Sequence, residues 1–122
     1  MTRELRALRG ATTASSNTAA AIAESVEELV DALVQRNALA ASQLLSVTFS
    51  VTADLDACFP AAIARRMPGW DAVALLDCQQ MAVQGDLPRC IRLLAHVWIE
   101  PSQPLVHPYL RQAAALRPDR AS

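Results

Sequence analysis

A chain of 122 residues is the size of one compact domain. Its 52% apolar content is enough for a core, and with only 4% aromatics that core is built from Ala, Leu, Val and Ile. The balance of 11 basic against 12 acidic residues argues against a nucleic-acid binder, and no apolar run reaches the ~18–20 residues needed to span a bilayer.

The stretch LRALRGATT (5–13) begins as a short strand that stops at Gly10. The Ser/Thr/Asn-rich piece that follows reads as a loop, with Asn17 or Thr18 as N-cap of the next element. From Ala19 to about Gln35, the residues Ile22, Val26, Leu29, Val30 and Leu33 fall on one helical stripe. Glu24, Glu27, Glu28 and Asp31 occupy the other side. QLLSVTFSVT (43–52) alternates Leu45, Val47, Phe49 and Val51 with hydroxyl residues, which predicts a strand with one apolar face. FPAAIARRM (59–67) predicts a short helix with Pro60 near its first turn, and PGW (68–70) a turn.

DAVALLDC (71–78) predicts a second strand, whose first half reads as buried on both faces. QGDLP (84–88) turns the chain. RCIRLLAHVWIE (89–100) predicts a third strand, with Ile91, Leu93, Ala95, Val97 and Ile99 on one face. The prolines of PSQPLVHP end it, because they lack a ladder donor. A short element follows and stops at Pro118. The sum is one α+β domain over 1–122: a mixed sheet of four or five strands packed with one long helix, its other face apolar enough for self-association.

The N-terminus MTRELRALRG is too charged for a signal peptide. Cys58, Cys78 and Cys90 are odd in number and widely spaced, which fits reduced thiols in a cytoplasmic protein. Without a CxxC pair, and with only His96 and His107, no zinc site is expected. No nucleophile–base set and no Gly-rich phosphate loop can be assembled.

A few charged residues stand out instead. Arg9 ends the first strand. Arg92 lies inside the third, on the face shared by Leu94, His96 and Trp98. A buried arginine cannot shed its charge, so it needs an anion; the alternative is an edge arginine whose head reaches water. Asp77 directly follows an apolar run. An unpaired carboxylate there takes up a proton unless it faces water, a cation or a ligand. Arg65, Arg66, Arg111, Arg117 and Arg120 read by themselves as surface residues.

The segments LRGATT (8–13), FPAAIAR (59–65), GW (69–70), CIR (90–92), PYL (108–110) and ALRPD (115–119) occur in an order and at separations that resemble the monofunctional, trimeric chorismate mutases of the AroH class. The resemblance covers roughly Arg6 to Asp119. It implies a homotrimer that closes into a pseudo α/β-barrel, with each active site in a cleft between two subunits. It implies conversion of chorismate to prephenate, towards phenylalanine and tyrosine, by an intramolecular [3,3] rearrangement without metal, cofactor or covalent intermediate. Neither nucleic acid nor membrane is an implied partner.

By this resemblance Arg92 meets the ether oxygen as it becomes anionic, Arg9 binds a carboxylate, and Tyr109 touches the carboxylate side. Phe59, Ala61 and Arg65 form the wall from the adjoining subunit, and Leu75 and Leu76 are further substrate-binding residues. Leu116 and Arg117 belong to a C-terminal segment that closes over the cleft. Three positions depart from the pattern. Gln80 stands where the family usually has a glutamate, Asp77 where it has a cysteine, and Ala62 where a lysine is common. The glutamate and cysteine of the family contact the ring hydroxyl. The expectation is therefore that the carboxylate has moved, Asp77 supplying the acid that Gln80 lacks; the plain alternative is a solvent-facing Asp77 at a strand end. A catalytically impaired trimeric dicarboxylate-binding or regulatory protein of the same fold is the second reading, and it rests on Gln80.

Overall fold

The computed structural model describes residues 3–119. Strand β1 (Glu4–Thr13) leads to helix α1 (Ala19–Arg36), strand β2 (Leu44–Val51), the short helix α2 (Pro60–Ala64), strand β3 (Ala74–Gln79) and strand β4 (Cys90–Ile99). Short 3₁₀ segments lie at Ala41–Gln43, Trp70–Ala72 and Arg111–Leu116. The four strands form one mixed sheet in the order β1-β4-β2-β3. β4 runs antiparallel to both neighbours, while β2 and β3 are parallel.

Helix α1 forms where the apolar stripe predicts it. Thr18 is its N-cap, its Oγ1 accepting the Ala21 N–H at 3.1 Å. Asn17 serves the neighbouring loop instead, its Oδ1 accepting the N–H groups of Asp56 and Ala57. Ile22, Val26, Leu29, Val30 and Leu33 are fully buried against the sheet face made by Leu8, Val47, Phe49, Ile91, Leu93, Ala95, Val97 and Ile99. The large aliphatic payload of this layer is the main source of stability in a chain with so few aromatics.

Three expectations need correction. β1 does not stop at Gly10; it pairs with β4 without a break from Glu4↔Ile99 to Thr13↔Cys90. The glycine is needed for room: a Cβ there would lie 3.0 Å from the Pro108 carbonyl oxygen and 3.3 Å from Leu29 Cδ1. The strand expected over 71–78 begins only at Ala74, because Gly69 in a left-handed conformation (φ 82°) turns the chain and the buried Trp70 starts a 3₁₀ turn. Nor is its first half buried on both faces. β3 is an edge strand, and Leu76 is 61% exposed.

The chain beyond β4 is tied down by side chains rather than by a further strand. Buried Asn37, at the C-cap of α1, donates to the Val106 carbonyl and accepts the Val106 N–H, both at 2.8 Å. Arg111 forms ion pairs with Glu24 and Glu28 of α1 at 3.3 and 3.1 Å, so it is an anchor and not a free surface residue. Between these ties, residues 108–110 run parallel to the outer edge of β1. Ala11 N–H donates to the Pro108 carbonyl at 2.9 Å, and Leu110 N–H to the Ala11 carbonyl at 2.8 Å.

Candidate active site

Register divides the functional residues between the two faces of the sheet. Side chains of directly paired residues point to the same side. Arg9 pairs with Leu94, Ala11 with Arg92, and Ser50 with Arg92 from the other neighbour. All of these lie on the face that α1 does not cover. Leu75 and Asp77, paired with Val47 and Phe49, lie on the helix side.

On the open face, Arg9, Thr48, Ser50, Arg92, Tyr109, Leu116 and Arg117 are among the residues that line a cleft of about 540 Å³. Arg92 sits on β4, a strand flanked on both sides, so it is not an edge arginine. Its side chain is 38% exposed, and Nη2 lies 3.5 Å from Asp86 Oδ1. The long, single-atom contact leaves the rest of the guanidinium fork for a ligand. Arg9 makes no side-chain hydrogen bond or ion pair among the described residues. Its backbone N–H donates to His107 Nδ1 at 2.9 Å, which fixes the end of the cleft next to Pro108. Tyr109 is 8% exposed and packs with Ala11 and Ala113. Arg117 is held by Asp119 through two contacts of 3.0 and 3.2 Å. The cleft therefore collects three guanidinium groups, two of them with a carboxylate partner. Such a cluster suits a ligand with more than one anionic group.

On the helix side, next to the β3 edge, a second cleft of about 390 Å³ is lined by Phe59, Ala61, Ala62, Arg65, Leu75 and Asp77, among others. α2 forms because Pro60 occupies its first turn, yet Phe59 at its N-cap provides no capping side chain. Asp77 performs that task from β3, its Oδ1 accepting the Ala61 N–H at 3.0 Å. Burial raises the Asp77 carboxyl above its ordinary pKa, and the Ala61 hydrogen bond works against that rise. Asp77 is thus neither a solvent-facing strand end nor a partner of Arg92 within the same chain. Phe59 is 71% exposed beside it.

Gln80 follows β3 with its backbone N–H on the Val51 carbonyl at 2.9 Å. Its Nε2 donates to Asp86 Oδ2 at 2.9 Å, and its Oε1 is buried without a hydrogen-bond partner among the described residues. Gln80 is therefore joined to Arg92 through Asp86, while Asp77 belongs to the other cleft. Leu76 points away from Asp77, onto the open face of β3 with Thr48. Asp86 was hidden in the sequence: in QGDLP it looks like ordinary turn chemistry, and no spacing ties it to Arg92 or Gln80. Among the described residues no group of three or more His, Cys, Asp or Glu side chains is placed to hold a metal, and no helix is long and apolar enough to cross a membrane.

Residues 5–120 match the family model described as chorismate mutase type I. The chain is 34% identical over 116 residues to the chorismate mutase AroH of Bacillus subtilis, covering 94% of this chain and 91% of that protein. It is 40% identical over 121 residues to the chorismate mutase AroH of Thermus thermophilus, covering 97% and 98%. The solved structure of a chorismate mutase from Clostridium thermocellum superposes with a TM-score of 0.85 at 40% identity, over 90% of this chain and 98% of that one.

Proposed function

The chain belongs to the type I chorismate mutases, and from that premise we propose that it isomerises chorismate to prephenate in the cleft of Arg9, Arg92 and Tyr109, completed by a neighbouring subunit. The reaction is a [3,3] rearrangement on the way to phenylalanine and tyrosine. The observation that carries the assignment is the convergence of Arg9, Arg92 and Arg117 with Tyr109 on one cleft.

Holding the dianionic substrate with its enolpyruvyl arm over the ring removes an entropic part of the barrier. Arg9 and Tyr109 hold the carboxylate side. As the C–O bond breaks, the ether oxygen gains negative charge. The Arg92 guanidinium, fixed on a central strand, stabilises that charge more than it stabilises the ground state. Arg117 leaves Asp119 for the substrate when the segment of Leu116 and Arg117 closes.

The second wall comes from another copy. Phe59, Ala61, Arg65, Leu75 and Asp77 lie on the helix side of the sheet, so one chain cannot bring them to its own Arg92. The open face carries Leu5, Leu76, Leu94 and Trp98, between 40% and 61% exposed, which supports burial against further copies. A closed trimer with a barrel-like centre satisfies both demands. Asp77, with Oδ1 held by Ala61, offers its second oxygen to the ring hydroxyl from that wall. Among the described residues the three cysteines are unpaired, which supports a reducing, cytoplasmic setting.

The test is to mix purified protein with chorismate and follow its ultraviolet absorbance, then to repeat this with Arg92→Ala and Arg65→Ala chains, alone and after mixing and reassembly. Each variant alone is impaired, and the mixed assembly regains activity, since some clefts then combine two intact walls. No turnover by the parent refutes the function, and no recovery on mixing refutes the shared cleft.

A further inference from the structure

Arg92 and Gln80 are both held by a residue that the resemblance does not assign. Asp86 accepts from Gln80 Nε2 on Oδ2 at 2.9 Å and faces Arg92 Nη2 with Oδ1 at 3.5 Å. Oδ1 also accepts the Leu87 N–H at 2.8 Å, so the carboxylate is fixed by its own turn. That turn is built for the purpose: Gly85 adopts a left-handed conformation, and Asp86 N–H donates to the Val83 carbonyl at 3.1 Å. The Asp86 side chain is 24% exposed.

We infer that Asp86 is a positioning residue of the Arg92 site, and that Gln80 and Asp86 form one unit in which the carboxylate has moved from position 80 to position 86. This inference rests on the chorismate mutase reading above. The glutamate that the family usually carries at position 80 would place a second carboxylate against Asp86 Oδ2, where the Gln80 amide now donates. Two carboxylates at about 3 Å cannot both ionise. The amide is the group that fits: it donates to Asp86, which turns its own acceptor Oε1 the other way. Oε1 is left buried and unpartnered, an arrangement that is costly unless a donor arrives. Asp86 meanwhile restrains one end of the Arg92 guanidinium and keeps a negative charge beside it, while the remaining N–H groups stay available. Asp77 plays no part in this unit, because it faces the opposite side of the sheet.

The experiment compares kcat and KM for chorismate in the full-length parent, Gln80→Glu, Asp86→Asn and Gln80→Glu/Asp86→Asn, with thermal melts to confirm folding. Each single substitution lowers kcat about tenfold or more, since a misplaced catalytic group is costly. The double substitution, which returns a lone carboxylate to position 80, recovers to within about threefold of the parent, because the two sites are coupled. A double variant as poor as the product of the singles overturns the inference. Should the double variant not fold, Asp86→Asn decides alone: kcat falls while KM does not rise, and an unchanged kcat overturns it. Inactivity of the parent would instead strike the function itself.

Discussion

Gly10→Ala probes the joint on which the cleft is built. The new methyl would lie 3.0 Å from the Pro108 carbonyl oxygen, 3.2 Å from Pro108 Cγ and 3.3 Å from Leu29 Cδ1. The oxygen cannot retreat freely, because it accepts the Ala11 N–H at 2.9 Å. Leu29 cannot either, being fully buried in the main core. Overpacking of this kind costs about 1–3 kcal/mol. Against it stands the reduced freedom of the unfolded chain, a gain of about 0.4–1 kcal/mol for a glycine replaced by alanine. The clash wins, and the net loss is about 1–2 kcal/mol, or roughly 4–8 °C in Tm for a domain of this size. Arg9 precedes the altered residue and Tyr109 follows Pro108, so the shift also moves two groups of the proposed substrate cleft, and kcat/KM falls about tenfold. Denaturant melts with an unchanged m-value, together with the chorismate assay, measure both effects. A variant as stable and active as the parent would show that residues 108–110 yield without strain, and that their contact with β1 does not position Tyr109.

Arg92→Lys keeps the charge but loses the planar fork, and turnover drops by about 4 kcal/mol, roughly a thousandfold; turnover within threefold of the parent would remove Arg92 from its role. Asp77→Asn separates stability from chemistry. The folded-state pKa of Asp77 is raised by burial, so its contribution is favourable below the ordinary value of 3.8 and is lost as pH rises through the folded value. The asparagine still accepts the Ala61 N–H without a charge to desolvate. Its Tm therefore exceeds that of the parent at pH 7 by a margin that closes towards pH 3.8, while kcat falls through loss of the proposed anionic contact to the ring hydroxyl. A lower Tm at pH 7 contradicts the burial argument, and an unchanged kcat contradicts the contact.

The sequence by itself determined what depends on near neighbours. The stripe from Ile22 to Leu33 specified α1, and the alternation of Leu93, Ala95, Val97 and Ile99 specified which face of β4 enters the core, because helix and strand periods are written in consecutive residues. The same alternation put Arg92 on the opposite face, and the segments around Arg9, Arg92 and Tyr109 carried the family resemblance. Tertiary structure decided the rest. β1 continues through Gly10 because Pro108 and Leu29 close over it, and Arg9 is fixed by His107, a residue 98 positions away. β3 became an exposed edge because the sheet ends with it, β2 being its single neighbour among the described residues. Asp77 went to the N-terminus of α2, and Asp86, a plain turn residue in the sequence, went to Gln80 and Arg92. Local periodicity tells a side chain which face to take; only the pairing of distant segments decides which charge it meets there.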